Sequence, residues 1–282
     1  MPTTRFAPSP TGLLHLGHAF AAITAAEAAD GGTFLLRIED LDFARTRPEF
    51  EWAIDEDLTW LGLTWNRPVL HQSARLEVYR SAVARLQAEG LVYPCFCTRQ
   101  EIAAEIARAP QAPHEFNVTI YPGTCRMLSA AERAEAIGRG RPHVMRLDVN
   151  AAVARVAPLS FTELGAAPDG EHGIITVKPT LLGDIVLARK DVPVAYHLAV
   201  VIDDAFQQVS LVTRGNDLFA ATHVQRLLQA LLKFPPPLYA HHRLILDEHG
   251  RKFSKRDRAV TLRSLREGGT SSSEIRRMLS TT

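Results

Sequence analysis

Two segments carry residue types that act on phosphate. His15-Leu16-Gly17-His18 stands where a loop holding Pro8, Pro10 and Gly12 meets an Ala-rich stretch. A helix starting there offers unpaired backbone N–H groups and the positive end of its dipole, a setting that favours phosphate. Imidazoles three residues apart lie on one side of the first turn. From there they can donate to oxygens whose charge grows during phosphoryl transfer. Gly17 between them lets a flat purine approach the backbone. Far along the chain, residues 251–258 (RKFSKRDR) hold five basic side chains in eight. Lys252 and Lys255, three apart, suit a clamp on triphosphate or pyrophosphate. Taken singly, each segment has a plainer reading: two half-exposed loop histidines, and a solvated basic loop or nonspecific nucleic-acid patch.

Cys95, Cys97 and Cys125 are the three cysteines of the chain. They supply three soft ligands, one short of a closed tetrahedral zinc site. A disulfide within C-x-C would be strained. His114 and Tyr121 are candidates for the fourth donor, and imidazole, the commoner ligand, favours His114. Three buried thiols without metal are the alternative.

The elements that must position these residues read as α/β. A strand at 4–7, a loop at 8–12, a helix at 16–29 and a strand at 33–38 open a parallel α/β unit, and helices at 49–61 and 73–89 follow. From 91 to about 189 the texture changes, with all three cysteines and short strands near 144–147 and 183–188, as in an insertion. Strands are then expected at 199–202 and 209–213, a helix at 222–233 closed by Pro235, Pro236 and Pro237, and a strand at 239–246. The expected organisation is 1–90 and 191–237 as two halves of one domain, 91–190 as an insertion, and 238–282 as a basic loop and tail. A chain of 282 residues that is 46% hydrophobic can bury such a core.

Charge adds a direction. Lys+Arg number 32 and Asp+Glu 31, so no global basic field exists. Residues 237–282, however, hold ten basic and five acidic side chains, leaving 22 and 26 in the first 236. Any nucleic-acid footprint is expected on the basic C-terminal part. The uncharged run 6–26 contains Pro8, Pro10, His15 and His18, which argues against a membrane span. The opening residues lack a secretory signal pattern, and the few thiols fit a reducing cytoplasm.

RFAPSPTGLLHLGH near the start and KFSKR near the end together resemble the HIGH-like and KMSKS-like signatures of class I aminoacyl-tRNA synthetases. Four further pieces are similar to the glutamyl branch: Arg5-Phe6-Ala7-Pro8-Ser9, Arg37-Ile38-Glu39-Asp40, YHLAVVIDD from Tyr196 to Asp204, and Arg214-Gly215. Ser9 stands where the glutaminyl branch usually has an acidic residue. The resemblance implies a Rossmann-type catalytic domain split by a connective insertion that bears a zinc site and meets the acceptor. It implies activation of L-glutamate by ATP with Mg²⁺. Arg5, Phe6, Ala7, Pro8, Ser9, Glu39, Tyr196 and Arg214 would hold glutamate. His15, Gly17, His18, Lys252 and Lys255 would hold ATP, with His15, His18 and Lys255 assisting the chemistry. The chain departs from the pattern at Phe253 and Arg256 in the second signature. It also has Val224 where many glutamyl enzymes carry Arg before the position of Gln225.

C-x-C followed by Y-x-x-x-C resembles the glutamyl-queuosine tRNA(Asp) synthetases, although the 23 residues between Cys97 and Tyr121 are more than is usual there. That resemblance implies Cys95, Cys97, Tyr121 and Cys125 as ligands of one structural zinc. Only 24 residues follow Arg258, too few for an anticodon-binding domain. The implied acceptor is therefore queuosine in the anticodon stem-loop of tRNA(Asp), reached by a monomer. The alternative is a truncated glutamyl-tRNA synthetase paralogue charging a tRNA 3′ end or another acceptor.

Overall fold

The computed structural model of the chain describes residues 1–108, 120–165, 167–189, 194–246 and 260–281. The first elements are β1 (Thr3–Phe6), α1 (Leu16–Ala28), β2 (Thr33–Ile38), α2 (Pro48–Trp60), β3 (Asn66–His71) and α3 (Leu76–Ala88). Next come β4 (Val92–Cys95), α4 (Arg99–Arg108), α5 (Ala130–Gly138), β5 (Val144–Leu147), α6 (Val149–Val153), β6 (Ser160–Glu163), β7 (Gly173–Thr176) and β8 (Val186–Ala188). The chain closes with α7 (Tyr196–Phe206), β9 (Leu211–Gly215), α8 (Phe219–Leu232), β10 (Leu238–His242), α9 (Leu262–Glu267) and α10 (Ser272–Thr281). Asp30 and Gly31 take positive φ of 44° and 74° and stop α1, turning the chain into β2.

One sheet has the order β1-β2-β3, all parallel, and a second has β7-β6-β10-β9, parallel except for β7. The edges β1 and β9 face each other. Ser210 N–H donates to the Thr3 carbonyl at 3.0 Å, and Thr3 N–H donates to Ser210 Oγ at 2.9 Å. From β1 the chain steps outward to β2 and β3 on one side of this seam, while β9, β10 and β6 lie on the other, so the strand order reverses across it. In open parallel sheets such a switch opens a crevice at the carboxyl ends of the strands. The third sheet, β4-β5-β8, is antiparallel. Although β6 and β7 fall between residues 91 and 190, they pair with β10 rather than with this third sheet.

The expected strand at 199–202 is instead the middle of helix α7. Leu198 through Asp204 are all buried, in a core shared with Tyr79 of α3 and with Val224, Leu227 and Leu228 of α8. An apolar run covered on every side has no period to separate strand from helix. Val224 is itself fully buried in that core, so its position serves packing.

Where it is described, the basic tail is docked on the body. Leu262, Ile275 and Leu279 join the core around Leu14, Ile54 and Leu58. Arg266 pairs with Glu56 at 3.0 Å and lies 3.2 Å from Asp57, while Arg276 pairs with Glu27 at 3.3 Å. These arginines fasten the tail to the acidic-leaning body, so they offer less free charge than composition implies. Among the described residues no helix is long and apolar enough to cross a membrane.

Candidate active site

The carboxyl ends of β1, β2, β9 and β10 surround a cavity of about 570 Å³. Arg5, Phe6, Ala7, Pro8, Ser9, His15, Gly17, His18, Glu39, Tyr196 and Arg214 all line it, so the residues singled out in four separate stretches of sequence share one space. Lys252 and Lys255 lie outside the described residues. Thr261, which follows that segment, bridges to the backbone of His15, and Leu262 N–H donates to the Leu14 carbonyl at 2.8 Å. The chain therefore returns from the basic loop directly beside the first signature.

His15 is the N-cap of α1. Its Nδ1 accepts the Gly17 N–H at 3.2 Å, and its own N–H donates to His18 Nδ1 at 3.2 Å. The two rings are 3.8 Å apart. Because both Nδ1 atoms accept, each neutral ring carries its proton on Nε2. The cap thus uses one nitrogen of each imidazole and fixes the other as a donor. A Cβ on Gly17 would meet His15 Cε1 at 3.1 Å and Nδ1 at 3.2 Å, so the glycine makes room for the ring.

At the crevice floor four charges interlock. Asp204 accepts from Arg5 Nε at 3.0 Å and from Arg37 Nη1 at 2.7 Å, and Glu39 accepts from Arg37 Nη2 at 3.3 Å. Arg37 is wholly buried and Arg5 nearly so. Burial works to raise the Asp204 carboxyl, but Arg5 and Arg37 outweigh it and hold it below the ordinary carboxylate value. For Glu39 burial wins over Arg37 and Arg5, and its carboxyl sits above the ordinary value. The Arg5 charge is thereby balanced from behind while its side chain still borders the cavity.

Arg214 is held differently. Its Nε donates to His241 Nε2 at 3.1 Å, Nη1 to Gln225 Oε1 at 2.7 Å and Nη2 to Thr222 Oγ1 at 2.6 Å. The parallel register sets Arg214 opposite His241 on adjacent strands. His241 Nδ1 lies 2.6 Å from Glu163 Oε2, and Glu163 Oε1 takes the backbone N–H groups of His241 and Gly165 at 2.8 and 2.9 Å. Burial, then the charge of Arg214, keep His241 below the ordinary histidine value despite Glu163. Nearby, burial followed by Arg214 lowers His197 to about 4. Gly215 is tight as well: a Cβ there would meet Asp217 Oδ1 at 2.6 Å and Leu244 Cδ2 at 2.7 Å.

The cysteines gather elsewhere, beside the third sheet. The Sγ atoms of Cys95, Cys97 and Cys125 all lie within 4.8 Å of one another, with Cys97 and Cys125 at 3.4 Å. Tyr121 Oη lies 3.5 Å from Cys97 Sγ and accepts the Cys125 N–H at 2.8 Å. Phe96 N–H donates to Cys125 Sγ at 3.3 Å. Three sulfurs and one phenol oxygen at this spacing fit a tetrahedral metal with Zn–S bonds of about 2.3 Å, and amide donors toward sulfur and oxygen suit their anionic forms. His114, the other candidate fourth donor, lies outside the described residues.

Sequence reasoning on the site passed over Asp204 as the holder of Arg5, and Arg37 as the second cation on the same carboxylate, although both sit in quoted motifs. Glu163 and His241 gave no local signal at all, since strand pairing alone unites them.

The family of class I tRNA synthetases (E and Q), catalytic domain, matches residues 2–280. A protein of Rhodobacter capsulatus called glutamyl-Q tRNA(Asp) synthetase is 47% identical, with 98% of this chain and 99% of that one aligned. A glutamyl-Q tRNA(Asp) synthetase of Nocardia farcinica is 42% identical over 98% of this chain and 82% of its own length. A solved glutamate tRNA ligase from Elizabethkingia meningosepticum, in complex with its amino acid, superposes with a TM-score of 0.71 at 29% identity. That alignment takes in 90% of this chain, which spans about half (51%) of the ligase. Sequence and fold therefore agree that the chain belongs to the class I tRNA synthetases for glutamate and glutamine, through their catalytic domain.

Proposed function

We propose that this chain activates L-glutamate with ATP in the absence of tRNA, then transfers the glutamate to the queuosine base in the anticodon of tRNA(Asp). One observation carries the reading. The guanidinium groups of Arg5 and Arg214, the carboxyl group of Glu39 and both imidazoles of the helix cap border a single cavity at the sheet switch point, together with Arg243, Asp217 and His242. A dicarboxylate with one ammonium matches that set: Arg5 and Arg214 take the carboxylates and Glu39 the amine, with Phe6, Ala7, Pro8, Ser9 and Tyr196 forming the walls. The near full-length similarity to glutamyl-Q tRNA(Asp) synthetases supports the acceptor.

In the first step a glutamate carboxylate oxygen attacks the α-phosphorus of ATP. The bond to the bridging oxygen breaks, and its electron pair leaves with pyrophosphate. His15 and His18 donate from Nε2 to the phosphate oxygens, and Gly17 admits the nucleotide. Lys252 and Lys255 hold the pyrophosphate, with Mg²⁺ accompanying ATP as its counter-ion. In the second step a queuosine hydroxyl oxygen attacks the glutamyl carbonyl carbon, the bond from that carbon to the phosphate oxygen breaks, and AMP departs with its phosphate taking the hydroxyl proton. No protein nucleophile takes part, so positioning and electrostatics supply the catalysis.

Cys95, Cys97, Tyr121 and Cys125 hold one zinc ion, which would pin β4 to the turn around Cys125 as a structural tie. Reduced thiols of this kind suit the cytoplasm. The enzyme acts as a monomer on the anticodon stem-loop.

ATP–pyrophosphate exchange with glutamate and no tRNA tests activation, and its absence overturns the reading. Labelled glutamate given to tRNA(Asp) with and without queuosine tests the acceptor. Loading that ignores the modification, or appears at a tRNA 3′ end, favours a glutamyl-tRNA synthetase paralogue instead.

A further inference from the structure

Arg5 and Arg214 border the same cavity, but their charges are treated in opposite ways. Arg5 has a carboxylate, Asp204, directly on its guanidinium. Arg214 is buried, and its three hydrogen-bond partners, His241, Gln225 and Thr222, are uncharged acceptors. Among the described residues no carboxylate lies within ion-pair distance of it. An acidic group is near, yet one step removed: Glu163 meets the far side of the His241 ring and spends its other oxygen on two backbone N–H groups.

The arrangement has a chemical consequence. Arg214 Nε–H donates to His241 Nε2, so that nitrogen must be bare, and the ring proton must sit on Nδ1. Glu163, an acceptor at 2.6 Å from Nδ1, holds the proton there. Glutamate, histidine and arginine form a one-way relay of donors and acceptors. It aims the guanidinium at the cavity without neutralising it, because the imidazole between them is uncharged.

We infer that Glu163 and His241 are positioning residues for Arg214, keeping its charge uncompensated so that it selects a ligand carboxylate over a carboxamide. This rests on the glutamate-activating reading above. With a direct acidic partner, Arg214 would grip a neutral amide almost as well as an anion. Held by neutral acceptors, it favours the group that supplies the missing negative charge.

The test compares Glu163→Gln, His241→Phe and His241→Gln with the parent in ATP–pyrophosphate exchange, using glutamate and glutamine. In Glu163→Gln the amide can donate to Nδ1, which moves the ring proton to Nε2 and sets it against Arg214 Nε–H. His241→Phe removes the acceptor altogether. Both are expected to raise KM for glutamate about tenfold or more, on the scale of a misplaced charged hydrogen bond. KM for ATP and kcat at saturating glutamate stay within about threefold, since the chemistry uses other groups. The preference for glutamate over glutamine narrows. His241→Gln, whose side-chain oxygen can replace Nε2 as acceptor, recovers most of the loss. Calorimetric titration of each folded variant with L-glutamate alone gives the same ranking without turnover. A KM for glutamate within twofold of the parent in all three variants overturns the inference, as does a loss confined to kcat. If the parent itself gives no exchange with glutamate, the functional reading fails first, and the two failures are told apart.

Discussion

Asp204 holds the Arg5 guanidinium from the side away from the cavity, with Oδ1 3.0 Å from Nε and Oδ2 3.4 Å from Nη2. The same carboxylate takes Arg37 at 2.7 Å. One acid thus keeps two buried cations solvated by protein. Asp204→Asn leaves Arg5 with no direct ion-pair partner among the described residues and Arg37 with Glu39 alone in contact, and breaking a buried ionic network from one side costs about 3–5 kcal/mol. Urea unfolding at pH 7 is expected to register that loss. The pH dependence has a definite sign. The folded carboxyl lies below its unfolded value, so its contribution is present above that value and fades as pH falls through the folded one. Asp204→Asn should therefore lose most at neutral pH and converge on the parent in acid.

Gly17→Ala separates activity from stability. The new methyl would press on the His15 ring at 3.1–3.2 Å, within the cap whose geometry fixes both imidazole tautomers. Alanine in a first helical turn otherwise gains up to about 1 kcal/mol over glycine. The two effects nearly offset in the melting temperature. They do not offset in chemistry: a displaced ring is expected to slow pyrophosphate exchange by about tenfold or more. An unchanged exchange rate would show that the cap does not orient the imidazoles.

The share of this legible in sequence follows from how local each signal is. Helix α1, the strand before it and the histidine turn were plain because Pro8, Pro10, Gly12 and Asp30-Gly31 punctuate a short stretch. The grouping of Arg5, Glu39, Tyr196 and Arg214 came from motif resemblance, since no composition or period relates residues so far apart. Helix α7 was misread because burial on all sides removes its period. The Glu163–His241 pair, 78 residues apart, exists through β6–β10 pairing and leaves no trace in either segment. A count of charges in the tail is blind in the same way to Glu27 and Glu56, which meet Arg276 and Arg266.

The metal cluster makes a prediction with two arms. Elemental analysis should find close to one zinc per chain, and Cys97→Ser should abolish it, since loss of one thiolate opens a tetrahedral site. Chelation should lower the melting temperature of the parent and leave Cys97→Ser unchanged. Tyr121→Phe keeps the ring but removes the oxygen near Cys97 and the acceptor of the Cys125 N–H. It should therefore speed zinc loss to a chelator, whereas His114→Ala should not. The reverse ranking would make His114 the fourth donor.

Asp57 supplies a stability test with the opposite pH sign to Asp204. It is fully buried, neither carboxylate oxygen has a hydrogen-bond partner, and Arg266 lies 3.2 Å from Oδ1. Burial is the main cause that pushes its carboxyl up to about 6, with Arg266 and Arg263 opposing. A carboxyl raised in the folded state makes the fold bind an extra proton between its unfolded value and about 6. Stability from this group is present at low pH and lost as pH rises through that window. At pH 7.5 the charged, unbonded carboxylate then costs about 1–3 kcal/mol. Asp57→Asn removes the charge at nearly constant shape, and Arg266 keeps Glu56. The variant should therefore unfold at higher denaturant than the parent at pH 7.5, with the gain shrinking toward pH 4.5. A loss at pH 7.5 would mean that the Arg266 pair outweighs desolvation, and that α9 is tied to α2 through Asp57.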